Sequence, residues 1–153
     1  MERRLNYVKA APEVYQALLA LQAVVEKSGL EKPLLELIKI RASQINKCAF
    51  CLHMHTRDAR KAGEAEERLY LLDAWRDSAL YTDRERAALA WTEALTLLPQ
   101  TGAPDEAYAD VAAHFSEPEI VNLTFAIGAI NVWNRFGVGF RLPHPVKAKV
   151  VET

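Results

Sequence analysis

Helix start and stop signals recur along this 153-residue chain, and they constrain its fold more than any other feature. Pro12 lies where a helix can begin and Gly29 where it can end, which are the positions that these residues prefer. Two capping boxes, Thr82–Glu85 and Ser116–Glu119, predict further helix starts, because each satisfies free N–H groups of a first turn. Strand-like alternation with β-branched residues is missing, while Ala, Leu and Glu dominate. We therefore expect an all-α fold.

The signals divide the chain into a bundle of about six to seven helices. The expected helices span residues 12–29, 33–46, 47–62, 64–75, 82–98, 105–115 and 116–136. The last of them is the most apolar, and its Ile120–Ile130 stretch carries apolar residues on most sides. Such a helix should be buried all round, either at the centre of the subunit or at a subunit interface.

The length suits a single domain over residues 1–153, in which prolines and a basic composition predict a loosely ordered or subunit-swapped tail over 141–153. The formal net charge of −1 implies no strongly basic face, so we expect no nucleic-acid partner. The first residues lead into no apolar leader, and no apolar run is long enough to cross a bilayer. We therefore expect a cytoplasmic protein with no membrane partner.

The chain has only two cysteines, Cys48 and Cys51, and His55 follows four residues after the second. A helix advances about 100° per residue, so these three side chains fall within roughly 60° of one direction. Two thiols and an imidazole on one face suit thiol redox chemistry, in which one sulfur attacks, another resolves and a base manages protons. In a reducing compartment, a close cysteine pair is more often redox-active or metal-binding than structural.

Two features predict that the thiols are activated. Cys48 lies near the start of the third predicted helix, where the helix dipole favours an anion. His55 lies one turn after Cys51 and can take its proton. A Cys51 thiolate can attack a peroxide oxygen to give a sulfenic acid, with which Cys48 condenses to a disulfide. A reductant must then open that disulfide before another turnover.

Two other interpretations of this cluster remain open. Zinc could be held by Cys48, Cys51, His55 and a fourth ligand, although no second pair lies at the usual spacing and His114 and His144 stand alone. Both thiols could instead be buried core residues beside a surface histidine, because cysteine is often buried without a chemical role.

Glu36 is a further candidate, because it lies in the least polar part of the second predicted helix. Apolar surroundings should raise the pKa of its carboxyl group and suit it to acid–base work. The alternative is an exposed glutamate on an amphipathic helix.

The stretch from Glu36 to His55 resembles the alkylhydroperoxidase D-like (AhpD-like) group within the carboxymuconolactone decarboxylase-like superfamily. The pattern of that group is a Glu, eleven residues, Cys-x-x-Cys, three residues and a His, and every interval is kept here. The segment 129–135 resembles the close of the last core helix of the family. The similarity extends over about residues 5–140.

This resemblance implies an all-helical subunit that assembles into a homo-oligomer, commonly a trimer or hexamer. It assigns Cys51 as the peroxidatic residue and Cys48 as the resolving residue, with Glu36 and His55 as a proton relay. The expected partners are a hydroperoxide substrate and an unidentified dithiol or protein reductant. No cofactor or metal is expected.

The chain departs from the prototype at Phe50, where the prototype has a histidine, so the relay has one member fewer. Decarboxylases of the superfamily generally lack the cysteine pair, which favours thiol chemistry over lactone decarboxylation. The leading hypothesis is a thiol-dependent peroxidase that works through Cys48 and Cys51. The alternative is a non-catalytic thiol redox switch or an oligomeric interaction protein in the oxidative-stress response.

Overall fold

The computed structural model describes residues 2–145, and within that range the chain is helical and contains no strand. The α-helices are α1 (Tyr7–Ala10), α2 (Pro12–Glu26), α3 (Lys32–Ile45), α4 (Ala49–Lys61), α5 (Glu66–Tyr70), α6 (Asp83–Thr96), α7 (Leu98–Thr101), α8 (Asp105–His114) and α9 (Glu117–Gly139), and a 3-10 helix spans Leu72–Asp77. The predicted all-α class is confirmed. Most of the predicted tail, residues 146–153, lies outside the described residues.

Helix α3 is the centre of the subunit, and it packs against α4, α6 and α9. Its side chains are buried on several sides, including those of Leu37 and Ile38, which have no exposed surface. Helix α9, which we expected to be buried all round, leaves Val121 67% exposed and Phe125 39% exposed in this subunit. These two side chains are four residues apart and therefore share the outward face of α9. The alternative position of α9, at a subunit interface, stays a prediction.

Both capping boxes form as predicted, at Thr82 with Glu85 and at Ser116 with Glu119. The predicted helix 64–75 is wrong in its second half, because the chain kinks at Ala74 (φ −111°, ψ 26°) and continues as the 3-10 helix. This kink brings the indole of Trp75 into the core, where its Nε1 donates to Glu93 Oε1 at 2.8 Å. Tertiary packing thus outweighs helix propensity in this segment.

The chain segments at either end of the described range converge on the end of α9. The Tyr7 ring of α1, a helix that the sequence patterns did not predict, packs edge-on against Phe136 with centroids 4.9 Å apart. The Arg4 amide donates to the Phe140 carbonyl at 3.0 Å, and the Leu142 amide donates to the Gly137 carbonyl at 2.9 Å. These contacts hold both segments against the last turns of α9. No helix among residues 2–145 combines the length and apolar character needed to span a bilayer.

Candidate active site

The cysteine pair lies at the start of α4. Lys47 adopts a positive φ of 56° and Cys48 an extended conformation, so this helix begins at Ala49 rather than at Lys47. Cys48 is the N-cap, and its Sγ accepts a hydrogen bond from the Cys51 amide at 3.3 Å. The two sulfurs are joined in a disulfide, with Cα atoms 5.3 Å apart, and both cysteines are at least 97% buried. The first turn of α4 therefore sets the distance between the two cysteines.

The predicted glutamate and histidine meet beside this pair. Glu36 of α3 and His55 of α4 approach through Oε2 and Nδ1, which lie 2.9 Å apart. Lys39 Nζ donates to the other oxygen of Glu36, Oε1, at 2.8 Å. His55 is buried and Glu36 is half-buried, so the exposed-glutamate alternative does not hold. The packing of α3 on α4 thus brings Glu36 and His55 into contact, and both line the same cavity as Cys51.

The acidity of Glu36 differs from our expectation. Burial raises the pKa of this carboxyl group, but the hydrogen bonds and charges of His55 and Lys39 lower the pKa by more, and the net pKa lies below its ordinary value. The predicted rise is wrong because the sequence pattern showed the apolar neighbours of Glu36 and not its hydrogen bonds with His55 and Lys39. An ionised Glu36 can only accept, so His55 Nδ1 donates to it and Nε2 remains free to accept a proton.

Lys39 is a site residue that the sequence patterns did not single out. Its side chain is only 9% exposed, and its ammonium pairs with Glu36 across one helical turn. The signal that could have found it is the i, i+3 spacing of opposite charges on one helix face.

A buried amide network holds the turn before Cys48 against α9. Asn46 Nδ2 donates to Asn131 Oδ1 and to Asn134 Oδ1, each at 2.9 Å. Asn134 Nδ2 in turn donates to Ser43 Oγ at 3.0 Å, and Asn131 Nδ2 donates to Thr96 Oγ1 at 3.0 Å. No buried side-chain nitrogen or oxygen among the described residues lacks a hydrogen-bond partner. Because its buried polar atoms all have hydrogen-bond partners, this network holds the turn before Cys48 in a single conformation.

Gly137 of α9 lies directly over the two sulfurs. A Cβ built on this glycine would come within 2.6 Å of Cys48 Sγ and 3.3 Å of Cys51 Sγ, which is closer than real Cβ contacts allow for the first sulfur. The absence of a side chain therefore lets the backbone of α9 seal Cys48 from one side.

We expect Gly137→Ala to destabilise the oxidised protein by about 1–3 kcal/mol, because an added methyl group overpacks this contact. Urea unfolding of the oxidised protein measures the change. Gly128→Ala is the matched control, since it lies in the same helix and a methyl group added there would meet no atom within 4 Å. At that position alanine should stabilise the protein by up to about 1 kcal/mol. Equal responses of the two variants would contradict the close contact at Gly137.

A cavity of about 400 Å³ opens beside Cys51. Its walls come from α1, α2, α3, α4 and α9 and from Leu142, and they include Glu36, Cys51 and His55. Among residues 2–145, the lining contains Cys51 and not Cys48. Of the two cysteines, Cys51 is therefore the one that borders this cavity, together with His55.

The zinc interpretation requires both thiolates as ligands. In this form each sulfur is bonded to the other, so zinc binding by the pair and the disulfide are mutually exclusive states. Within the described chain, no group of three or more His, Cys, Asp and Glu side chains is arranged to hold a metal ion.

Comparison of the sequence with known proteins identifies the family of this chain. Residues 12–94 match the sequence profile of the carboxymuconolactone decarboxylase family. The uncharacterized protein YdfG of Bacillus subtilis strain 168 is 43% identical over 138 residues, which cover 90% of this chain and 94% of YdfG. These matches confirm the resemblance noted from the Glu36–His55 stretch.

Superposition on solved structures shows that the similarity includes the fold. A protein of unknown function from Agrobacterium tumefaciens, proposed to be the antioxidant defence protein AhpD, is 51% identical and superimposes with a TM-score of 0.93 over 95% of this chain and 100% of that one. A peroxidase-related protein of Ralstonia eutropha JMP134 with an alkylhydroperoxidase AhpD core is 18% identical. It superimposes with a TM-score of 0.79 over 90% of this chain and 74% of its own, and it supports the fold alone.

Proposed function

The chain belongs to the carboxymuconolactone decarboxylase family, and within this family we propose that it is a thiol-dependent peroxidase that reduces hydroperoxides. One observation carries the proposal: of the two cysteines in the buried Cys48–Cys51 disulfide, Cys51 lines a cavity that the His55–Glu36 pair also lines. The proposed AhpD role of the Agrobacterium tumefaciens relative agrees with this chemistry.

The proposed cycle begins from the dithiol form. His55 Nε2 takes the proton of Cys51, and the thiolate attacks the terminal oxygen of the hydroperoxide. The O–O bond breaks, the alkoxide takes a proton from His55 and leaves as an alcohol, and Cys51 becomes a sulfenic acid. The Cys48 sulfur then attacks the Cys51 sulfur, water leaves, and the disulfide forms. Two electrons and two protons from a dithiol or protein reductant restore both thiols.

Glu36 has a positioning role in this cycle. Its carboxylate holds Nδ1 of His55 and balances the positive charge that forms when Nε2 takes the Cys51 proton. Lys39 keeps Glu36 ionised and oriented from the other side. We propose a cytoplasmic setting, in which such dithiol reductants are available, and a homo-oligomeric assembly.

A second candidate is a non-catalytic thiol redox switch within an oligomer. Two observations favour it: Phe50 lines the cavity where the prototype relay has a histidine, and Val121 and Phe125 leave an apolar face of α9 uncovered in the subunit. The switch predicts reversible disulfide formation without sustained turnover.

Thiol counting during peroxide reduction separates the two candidates. Reduced protein mixed with one equivalent of tert-butyl hydroperoxide should lose two thiols for each peroxide consumed, because both cysteines enter the disulfide. Excess dithiothreitol should then sustain peroxide loss over many turnovers above the rate of dithiothreitol alone. Peroxide loss no faster than with dithiothreitol alone, although the disulfide forms slowly and dithiothreitol reopens it, would favour the switch.

A further inference from the structure

The two cysteines are held in place by different parts of the chain. Cys51 belongs to the first turn of α4, and the hydrogen bonds of that helix fix its backbone. Cys48 precedes the helix as its N-cap, with an extended backbone, and it follows Lys47, whose φ is 56°. In the dithiol form no covalent bond ties the Cys48 sulfur to Cys51. The position of that sulfur then depends also on the turn over residues 46–48 and on the groups that hold this turn.

Asn134 of α9 fixes this turn at two points. Its Oδ1 accepts from Asn46 Nδ2 at 2.9 Å, and its Nδ2 donates to Ser43 Oγ at 3.0 Å. The Ser43 carbonyl accepts from the backbone amide of Cys48 at 3.0 Å, so one serine joins Asn134 to the backbone of this cysteine. Asn131, one turn earlier in α9, accepts from the same side-chain amide of Asn46 at 2.9 Å.

The hydrogen bonds of Asn134 are shielded from water. Asn134 is 1% exposed and Ser43 has no exposed surface, so a lost partner at either residue is not replaced by solvent. Gly137, whose backbone lies over the Cys48 sulfur, is three residues after Asn134 and shares its face of α9. One face of α9 therefore contacts both the turn before Cys48 and the sulfur of Cys48.

We propose that Asn46 and Asn134 are positioning residues for the resolving step, in which the sulfur of Cys48 attacks that of Cys51. This rests on the proposed peroxidase function and adds to it the residues that hold the resolving cysteine. Within residues 2–145, the side chains of the two asparagines hydrogen-bond with each other, with Ser43 and with Asn131, and with no residue of α4. They therefore act on Cys48 without acting directly on Cys51.

The resolving step depends on the position of the attacking sulfur. The Cys48 thiol loses its proton, and its sulfur attacks the sulfur of the Cys51 sulfenic acid. The S–S bond forms, the S–O bond breaks, and the departing hydroxide takes a proton and leaves as water, so no further oxidant or reductant is needed. A misplacement of about 1 Å in such an attack costs up to about a hundredfold in rate. A sulfenic acid that is not resolved can react with a second peroxide to give a sulfinic acid.

Reaction of the reduced protein with the neutral reagent dipyridyl disulfide measures this ring closure without peroxide. The first thiopyridone is released when one thiol attacks the reagent, and the second when the other cysteine attacks the resulting mixed disulfide. The second phase is unimolecular, so its rate is independent of the reagent concentration. In Asn46→Ala and in Asn134→Leu we expect a second phase about tenfold to a hundredfold slower than in the wild-type protein, with an unchanged first phase.

Asn122→Leu is the matched control. Asn122 lies in the same helix, about 18 Å of helix before Asn134, and its Nδ2 donates to the Ser28 carbonyl at 3.0 Å. This variant loses a hydrogen bond from α9 to another segment, so both phases should match those of the wild-type protein. Asn46→Ala removes only one half-buried side chain and keeps the α9 residues, and it tests the proposal if Asn134→Leu does not fold.

The same effect should appear in the reaction with peroxide. Asn46→Ala should consume the first equivalent of tert-butyl hydroperoxide as fast as the wild-type protein does. Its Cys51 sulfenic acid should persist about tenfold longer or more, and dimedone should trap a larger fraction of it on Cys51. The fraction trapped is measured only on protein that has already reacted with peroxide, so it does not depend on the amount of unfolded protein.

Each outcome supports or overturns a defined claim. A second phase unchanged in both variants would overturn the positioning role, and so would equal slowing of the two phases or the same slowing in Asn122→Leu. A slower second phase in Asn46→Ala and Asn134→Leu alone supports the role. If that result is obtained but the wild-type protein reduces no peroxide above the dithiothreitol background, the positioning of Cys48 for disulfide formation stands and the peroxidase function is overturned.

Discussion

Replacing Cys51 with serine is expected to abolish sustained peroxide reduction, lowering kcat/KM by about three orders of magnitude or more. Cys51 is the cysteine that lines the cavity beside His55, and a serine hydroxyl does not form the anion that attacks peroxide at neutral pH. Peroxide loss with dithiothreitol, corrected for the reductant alone, measures the effect. Circular dichroism and urea unfolding show whether the variant is folded.

Cys48→Ser is the matched variant, because it removes the other sulfur of the same pair. This variant keeps the attacking thiol and lacks the resolving one, so it should consume one equivalent of peroxide rapidly and leave a sulfenic acid at Cys51. Trapping with dimedone, followed by peptide mass analysis, should locate the adduct on Cys51. An adduct on Cys48 in the Cys51→Ser variant, formed at the same rate, would reverse the assignment of the two sulfurs.

Glu36→Gln is expected to lower kcat/KM by about a hundredfold at neutral pH. A glutamine amide cannot balance the positive charge on His55, and it leaves the ammonium of Lys39 without a charged partner. If Glu36 acts through His55, the double variant Glu36→Gln/His55→Gln should be no slower than His55→Gln alone. If the reductions in kcat/KM of the two single variants multiply in the double variant, the two residues act independently.

The same substitution should change the acid stability of the protein. The pKa of Glu36 in the folded protein lies below its ordinary value, because the His55 and Lys39 contacts outweigh burial. The stabilising effect of this carboxylate is therefore present above its unfolded pKa of about 4.3 and is lost as the pH falls through the lower folded pKa. Wild-type protein should lose more unfolding free energy than Glu36→Gln between pH 5 and the acid limit of folding, as measured by urea unfolding at each pH. Identical losses would contradict the ion pairs at Glu36.

Part of this structure could be predicted from the sequence, because it depends on residues that are close together in the chain. The capping boxes at Thr82 and Ser116 form as expected, because each involves atoms within one helical turn. The placement of Cys51 and His55 on one face of α4 follows from helix geometry for the same reason. The positive φ at Lys47 and the kink at Ala74 were missed, since no glycine or proline marks either position.

The sequence by itself thus determined the all-α class, most helix ranges and the spacing of Glu36, Cys48, Cys51 and His55, all of which depend on short-range geometry. Only the tertiary structure decided how acidic Glu36 is, which cysteine lines the cavity and how closely Gly137 covers Cys48. These properties arise where α3, α4 and α9 pack together, between residues that are up to about ninety positions apart in the chain. Side-chain packing over such separations sets burial and charge pairing, and no local pattern encodes it.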